Sequence, residues 1–301
     1  MKKVSIMIAS LMGIMAASCS NESVDIVENA QEEVVVAPVT VQVKDFRMSQ
    51  EDFPSSTRAT AVDSYNGVQV LTLGFYKRDG TETYKETHTK GSMPEGDTFG
   101  EFSTSLPIGS YTMVVLGYVL YDDDELTLTS PTQAEYTGGC PRETFAATQA
   151  VNITNTGSVE LTATLNRIIS CLQVISTDGK TANINKVRMT FSAGGKGFSP
   201  TTGLATVNIG SVSTVGVSAA EGATSTSTGF VFLATDEQTM NVTIETLDSE
   251  GNPIYTKTVE NVPLKRNRKT KLTGAIYGAS AAAGSFEVNT SWLNEEDPIN
   301  F

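Results

Sequence analysis

Chemistry in a protein starts from groups that can hold a proton, a metal ion or an electron pair, and this chain has few arranged to do so. Its single histidine is His88. Proton shuttling near neutral pH and most zinc sites draw on histidine, so a lone one leaves little general-base or metal chemistry. His88 lies in the polar segment Lys85–Gly100 and is expected to be a solvated loop residue rather than a ligand. The three cysteines, Cys19, Cys140 and Cys171, are too few for a disulfide scaffold. Cys140 sits in the turn Gly138-Gly139-Cys140-Pro141, and no spacing argument ties it to Cys171, so a pair and two free thiols are both open. The acidic run Asp122–Glu125 lacks the alternating oxygen ligands around a glycine turn that a calcium loop needs, and reads as a solvated strand end. Lys265, Arg266, Arg268, Lys269 and Lys271 cluster in LKRNRKTKL. Such a cluster suits acidic glycans or lipid head groups, but a charged hairpin tip that keeps a sheet edge soluble is the simpler expectation. The sequence has no Gly-rich phosphate loop entering a helix, no HExxH, no G-x-S-x-G and no CxxC. Glycoside chemistry needs two facing carboxylates, and nothing singles out two of the 34 acidic residues. The expectation is a protein that is not an enzyme and uses no cofactor and no metal.

A formal charge of −13 argues against nucleic acid, whose binders carry a basic stripe. Many Thr, Ser, Val and Gly with only 18% charged residues is the composition of a β-rich extracellular protein. The length of 301 residues suits two domains, each able to bury a core.

The regular elements the sequence predicts are strands. Before them, Lys2, Lys3 and the apolar Val4–Ala17 form a secretory signal, too short to cross a bilayer. It ends in Ala16-Ala17-Ser18-Cys19, like a bacterial lipobox, with Ala16 in the place usual for leucine. Residues 1–18 are thus expected to be a signal peptide, with Cys19 as the lipidation site, carrying palmitate and holding the chain at the outer membrane. Residues 19–33, with Glu22, Asp25, Glu28, Glu32 and Glu33, read as an acidic tether. Residues 34–46 put Val35, Ala37, Val39, Val41 and Val43 in one phase, a strand that Pro38 places at an edge or a bulge. Residues 47–61 have no periodicity and read as an exposed, protease-accessible loop. Leu71, Leu73 and Phe75 alternate up to an Asp79-Gly80 hairpin turn. In LPIGSYTMVVLGYVLY both faces are apolar, as in a strand covered twice.

The pivot of the chain is Val159–Ile175. Val159, Leu161, Ala163 and Leu165 alternate up to Asn166-Arg167, after which both phases turn apolar. That change predicts the chain leaving one sandwich for another, with domains at 34–166 and 167–301. In the second, strands are expected around Val187–Phe191, Val207–Ile209, Val215–Val217, Phe230–Leu233 and a Met240–Leu247/Ile254–Val259 hairpin. Ala275–Ser285 reads as a flexible loop, and Phe286, Val288 and Trp292 share the phase of a last strand before an acidic tail.

Four stretches, in order, carry a family resemblance: Arg58-Ala59 before VQVLTLGFYKRDG, LPIGSYTMVVLGY, LNRIISCLQV at the pivot, and VPLKRNRKTKLTGAIYG. With the lipobox and tether, this arrangement resembles the fimbrillin superfamily of Bacteroidales, subunits of lipoprotein-derived fimbriae with anchor and tip proteins as relatives. The resemblance implies an all-β chain of two tandem transthyretin-like β-sandwich domains after a lipoprotein signal peptide. It implies a structural subunit of a cell-surface fimbria (pilus) acting in adhesion, with other fimbrial subunits, anchor or tip proteins and host or bacterial surface molecules as partners. A trypsin-like protease cuts such precursors after an arginine in the loop behind the first strand, and Arg58, followed by Ala59, matches that position. Arg47 is the rival, set against the strand end. Loss of residues 34–46 would open a groove for a neighbour's strand, a form of β-augmentation, and Phe286–Phe301 is either that donor or part of its own domain. The alternatives are a lipid-anchored anchor subunit that keeps its first strand, and a glycan-binding surface lipoprotein.

Overall fold

Short runs of β-branched and aromatic residues in alternation, cut by Gly, Asn and Asp turns, favour strands throughout. The computed structural model describes residues 34–47, 59–61, 67–120, 125–138, 140–278 and 286–291, and among them every regular element is a strand. The chain is all-β. The first part contributes β1 (Val36–Arg47), β2 (Ala59–Ala61), β3 (Val70–Lys77), β4 (Glu82–Thr89), β5 (Glu101–Pro107) and β6 (Gly109–Tyr118). Then come β7 (Leu126–Ser130), β8 (Gln133–Tyr136), β9 (Thr144–Ile153) and β10 (Val159–Arg167). Past the pivot lie β11 (Ser170–Ser176), β12 (Lys186–Phe191), β13 (Gly197–Ser199), β14 (Leu204–Ala205) and β15 (Ser211–Gly216). The chain continues with β16 (Thr226–Val231), β17 (Glu237–Leu247), β18 (Pro253–Lys265), β19 (Lys269–Gly274) and β20 (Glu287–Ser291).

One eight-stranded sheet runs β2-β1-β10-β9-β6-β3-β4, with β5 also on β1. It is folded over on itself. β9 and β10 pair only at Asn166↔Ala146 and Arg167↔Phe145, a corner from which the two halves face each other. Between them lies the first core: Leu73, Phe75, Met113 and Val115 from one half meet Val39, Val41, Phe102 and Leu165 from the other. The Asp79-Gly80 turn closes the β3–β4 hairpin as expected. Gly80 has φ +86°, and the Asp79 carboxylate accepts from the Thr81 amide at 2.9 Å.

The second sandwich packs the sheet β16-β11-β19-β20 on β15-β12-β17-β18. Leu172, Val174 and Leu272 meet Val187, Met189, Val242 and Ile244 there. β15 and the exposed Val207–Ile209 differ from expectation: Ile209 is 83% exposed and outside any strand, while the strand begins at Ser211. The Gly/Ser/Thr-rich composition hides the phase, because small polar residues sit equally well on either face. The start of the expected loop Ala275–Ser285 is also pinned. The Asp178 carboxylate accepts amide hydrogens from Ile276, Tyr277 and Gly278 at 2.9, 2.8 and 2.8 Å, and Ile276 and Tyr277 are buried.

A third core fills the space at the pivot. The outer faces of β3 and β6, through Val70, Tyr76, Val114 and Leu116, meet Cys171, Phe230 and Phe232. This is why β6 and β11 read as apolar on both faces: each separates two cores. A small sheet, β14-β13-β8-β7, covers the third core and takes strands from both sides of position 167, with Phe198 paired to Ala134. Phe198 stacks on Phe232 at 4.3 Å, and Tyr136 lies 6.3 Å from the same ring. From Val35 onward the described chain packs as one compact unit.

Candidate functional site

Two places have the geometry for work: the slot that β1 fills, and a cleft beside the pivot. β1 is inserted between neighbours. It runs parallel to β10 from Val39↔Val159 to Arg47↔Asn166, and antiparallel to β5 from Val36↔Pro107 to Gln42↔Glu101. Pro38 precedes the first β10 pair, so its missing N–H falls where β1 still has a free side, in keeping with a local edge. Ala37, Val39, Val41 and Val43 are 0, 1, 0 and 6% exposed, whereas Val35 and Val36 stand out in solvent at 50 and 44%. A register shift between Val43 and Asp45 marks a bulge at Lys44. The slot therefore recognises an extended backbone through both ladders and four small side chains through the core, which is how strand addition works.

Ala59 opens β2, which pairs with the end of β1 through Arg47↔Ala59 and Asp45↔Ala61. The segment 47–61 is thus not loop throughout. Arg47 belongs to β1 and residues 59–61 return alongside it, because three small or β-branched residues suffice to close a ladder on a strand already held. Cys19 and Arg58 lie outside the described residues, as do Asp122, Asp123 and Asp124 of the acidic run, Trp292 and the acidic tail.

The cleft, of about 620 Å³, lies where β10, the β18–β19 turn and residues 200–203 converge. Arg167, Lys265, Arg266 and Arg268 line it with Asp236 and Glu237. Lys265 pairs with Glu237 at 2.7 Å, and Arg266 with Asp236 at 2.6 Å. Arg266 also donates to the Thr202 carbonyl at 2.7 Å. The close approach depends on Gly203 (φ +70°), where a Cβ would come within 2.7 Å of that guanidinium. Behind the cleft Arg167 and Glu143 form a buried pair at 2.6 Å, with the guanidinium 5.1 Å from the Phe145 ring centre.

Two expectations fail here for the same reason, that pairing brings distant strands over charged residues. The basic cluster is not simply a soluble tip: Arg268 and Lys269 are 7 and 2% exposed. β19 lies between β11 and β20, and Lys269 stands in register with Cys171, facing the third core. His88 is not solvated but 6% exposed, on β4 opposite Leu71. Its ring stacks on Phe102 at 3.9 Å, and Nε2 lies 3.1 Å from Glu86, which also accepts from the Tyr84 hydroxyl. The Glu143–Arg167 pair was not foreseen, since its members are separated by a whole strand and only the fold joins them. Cys140 and Cys171 are free thiols. Burial, with Glu143 adding to it and Lys269 opposing, pushes the Cys171 thiol up to about 12, so it is not a nucleophile at neutral pH. Among the described residues no group of three or more His, Cys, Asp or Glu could hold a metal ion, and no helix is long and apolar enough to cross a membrane.

No curated protein matches the sequence. Among solved structures, a candidate adhesin from Bacteroides ovatus is similar at 11% identity, over 87% of this chain and 97% of that one, with a TM-score of 0.49. The fimbrial anchor protein Mfa2 from Porphyromonas gingivalis is similar at 12% identity, over 86% and 98%, with a TM-score of 0.48. The tip fimbrial protein Mfa3 from the same organism gives 9%, 85% and 98%, with a TM-score of 0.39. Residues 33–298 match the model of the Family of unknown function (DUF6562), and the chain belongs to that family.

Proposed function

We propose that the protein is a structural subunit of a cell-surface fimbria acting in adhesion, exported to the outer membrane as a lipoprotein through Cys19. A trypsin-like protease cuts it after Arg58, and a neighbour's strand then takes the place of β1. The observation that carries this reading is β1 itself. It is the first strand among the described residues, paired with β10 on one side and β5 on the other, and β2 is the next strand along the chain. Such a strand can leave without breaking the chain anywhere else, and the slot it leaves is specific for another strand of alternating small apolar residues. The sequence motifs around Arg58, β6, the pivot and β19 support the same assignment by their resemblance to fimbrillins.

The candidate donor is the C-terminal stretch 286–301, which begins with β20 and whose alternative role is as a strand of its own domain. Among the described residues β20 pairs with β19 at a sheet edge, and Val288 is 42% exposed, while Phe286 packs on the second core. A second reading is an anchor subunit that keeps its lipid and its first strand. The pairing of Ala59 with Arg47 favours that one, because a protease binds its substrate extended and β2 must first unpair.

The N-terminal residue of the protein taken from cells separates these. Ala59 identifies a processed subunit, and a lipidated Cys19 in assembled fimbriae identifies an anchor. Arg58→Ala is expected to give an uncut, folded monomer, and deletion of residues 285–301 a secreted protein that does not polymerise. Normal fimbriae from the Arg58→Ala chain would reject the processing mechanism.

A further inference from the structure

β15 stands at the end of its sheet, with β12 as its ladder partner among the described residues, so one row of its backbone groups has no strand beside it. Sheet edges are ordinarily guarded against pairing with another chain by charge, proline or a bulge. β4 carries Glu82, Lys85 and Glu86, with a register shift opposite it between Phe75 and Tyr76. β18 carries Pro253, Lys257, Glu260 and Lys265, with two register shifts. β15 has no such guard: SVSTVG is uncharged, and its ladder with β12 runs through six pairs without a shift. The lack of charge extends well beyond the strand. From Leu204 to Ala234 the sequence has Glu221 as its one charged residue, in a chain with 18% charged residues. Beside the edge, apolar side chains stand out in solvent, with Val207, Ile209 and Val212 at 50, 83 and 40% exposed. The backbone holds them there. Asn208 Oδ1 accepts from the Gly194 amide at 2.5 Å and from Gln238 Nε2 at 2.9 Å. Thr206 donates to the Gly197 carbonyl at 3.1 Å, and Gly210, at φ +93°, to the Gly194 carbonyl at 3.0 Å. Val207 and Ile209 alternate with these anchored residues, so docking them costs little further ordering.

We propose that β15 pairs antiparallel with β15 of a second copy of this chain across a two-fold axis. The two Val212 side chains then meet on the outer face of a sheet continuous through both copies, with Val207 and Ile209 flanking the joint. Charge and symmetry select this partner. A formal charge of −13 makes two copies repel, and this uncharged flank is where they approach with least opposition. One strand in, Arg188 is already paired with Glu245 at 2.6 Å, and Lys186 stands opposite Gly216, at the end of β15 away from Val212. A strand run antiparallel to its own copy meets an identical edge, so both backbones are satisfied without a second complementary surface. The contact involves β15 and its loop alone and holds whether or not β1 is exchanged. A ladder of six residues with a small apolar flank is far below a standard protein interface, so the association is weak and needs a high local concentration.

The test is sedimentation velocity of the purified, uncut chain carrying Cys19→Ala, over a concentration series reaching the millimolar range. That substitution leaves no lipid to drive association, and β1 in place leaves no slot for a neighbour's strand. A reversible shift from monomer to dimer is expected as concentration rises. Val212→Lys and Val212→Asp are each expected to weaken the dimer by about tenfold or more, because like charges then face each other across the axis. An equimolar mixture of the two variants is expected to recover it, as a pair of opposite charges. Val212 is 40% exposed, so both variants should keep the native circular dichroism. Ile108→Lys, at a 44% exposed side chain in the β5–β6 turn, is expected to leave the dimer intact. A chain that stays monomeric throughout overturns the proposal, as does a dimer that Val212→Lys leaves unchanged. Variants that lose the dimer singly and do not recover it when mixed reject the two-fold pairing at Val212. A dimer abolished by Ile108→Lys instead assigns the contact to that turn.

Discussion

Removing β1 should unfold the first sandwich, and supplying it as a separate peptide should restore it. The strand buries Val39, Val41 and Val43 almost completely, and Ala37 with them. At about 2 kcal/mol per valine and about 0.8 kcal/mol for the alanine methyl, the side chains contribute roughly 6–7 kcal/mol. That is an upper value, because an unfolded chain already buries part of its apolar surface. It is nevertheless comparable with the whole net stability of a domain, about 5–15 kcal/mol. At roughly 2–4 °C per kcal/mol for a chain of this class, the loss corresponds to a fall in Tm of roughly 12–28 °C, before the two backbone ladders are counted. The assay compares the full chain with one beginning at residue 48, by thermal unfolding and near-ultraviolet circular dichroism. A peptide of residues 34–47 added in trans should recover the transition. The same peptide with Val41→Asp should not, since it would bring a carboxylate into a site that is 0% exposed. A truncated chain that melts with the full-length one would refute the reasoning, and with it the idea that the slot demands an occupant.

Three further outcomes are expected. Glu143→Gln should lower the denaturant midpoint by the equivalent of about 3–5 kcal/mol, because it breaks a pair whose side chains are 1 and 5% exposed, and Glu143→Leu with Arg167→Met should recover most of that; an unchanged midpoint would mean the pair contributes nothing. In a chain with Cys19 replaced by alanine, a maleimide at about pH 8 should label half-buried Cys140 and spare Cys171, whose thiol burial pushes up to about 12; equal native-state labelling would count against this. The buried Tyr136 phenol is raised above its ordinary value chiefly by burial, despite its hydrogen bond with Thr144. Its contribution is therefore complete below the unfolded phenol value of about 10 and is lost as pH rises beyond it, so Tm should fall on the alkaline side, and Tyr136→Phe should flatten that fall.

The strands that have one wet face are legible in the local pattern of residues. In β1 and β10 the period of two is written in valine and leucine against threonine and glutamate, and burial follows it residue by residue. It also carried the change at Asn166-Arg167, because a strand with two apolar phases must be covered twice: β10 ends at Arg167 in one sheet, and β11 begins at Ser170 in another. The Asp79-Gly80 turn was legible because only a few residue types tolerate the backbone it needs.

What covers those faces follows from long-range pairing. That β7 and β8 join β13 and β14 across the pivot is a pairing between segments about sixty residues apart, and no local pattern encodes which distant edge a short strand will find. Charge was the least legible property. A lysine reads the same on a hairpin tip or beneath a neighbouring strand, so Lys269, Arg268 and His88 looked solvated until β11 and β5 were laid against them. Glu143 and Arg167 became partners only because the corner between β9 and β10 brings them together, and the cleft beside them exists for the same reason. The backbone pattern is a local consequence of side-chain shape and polarity. The company a charged group keeps depends on long-range contacts, which only the folded chain specifies.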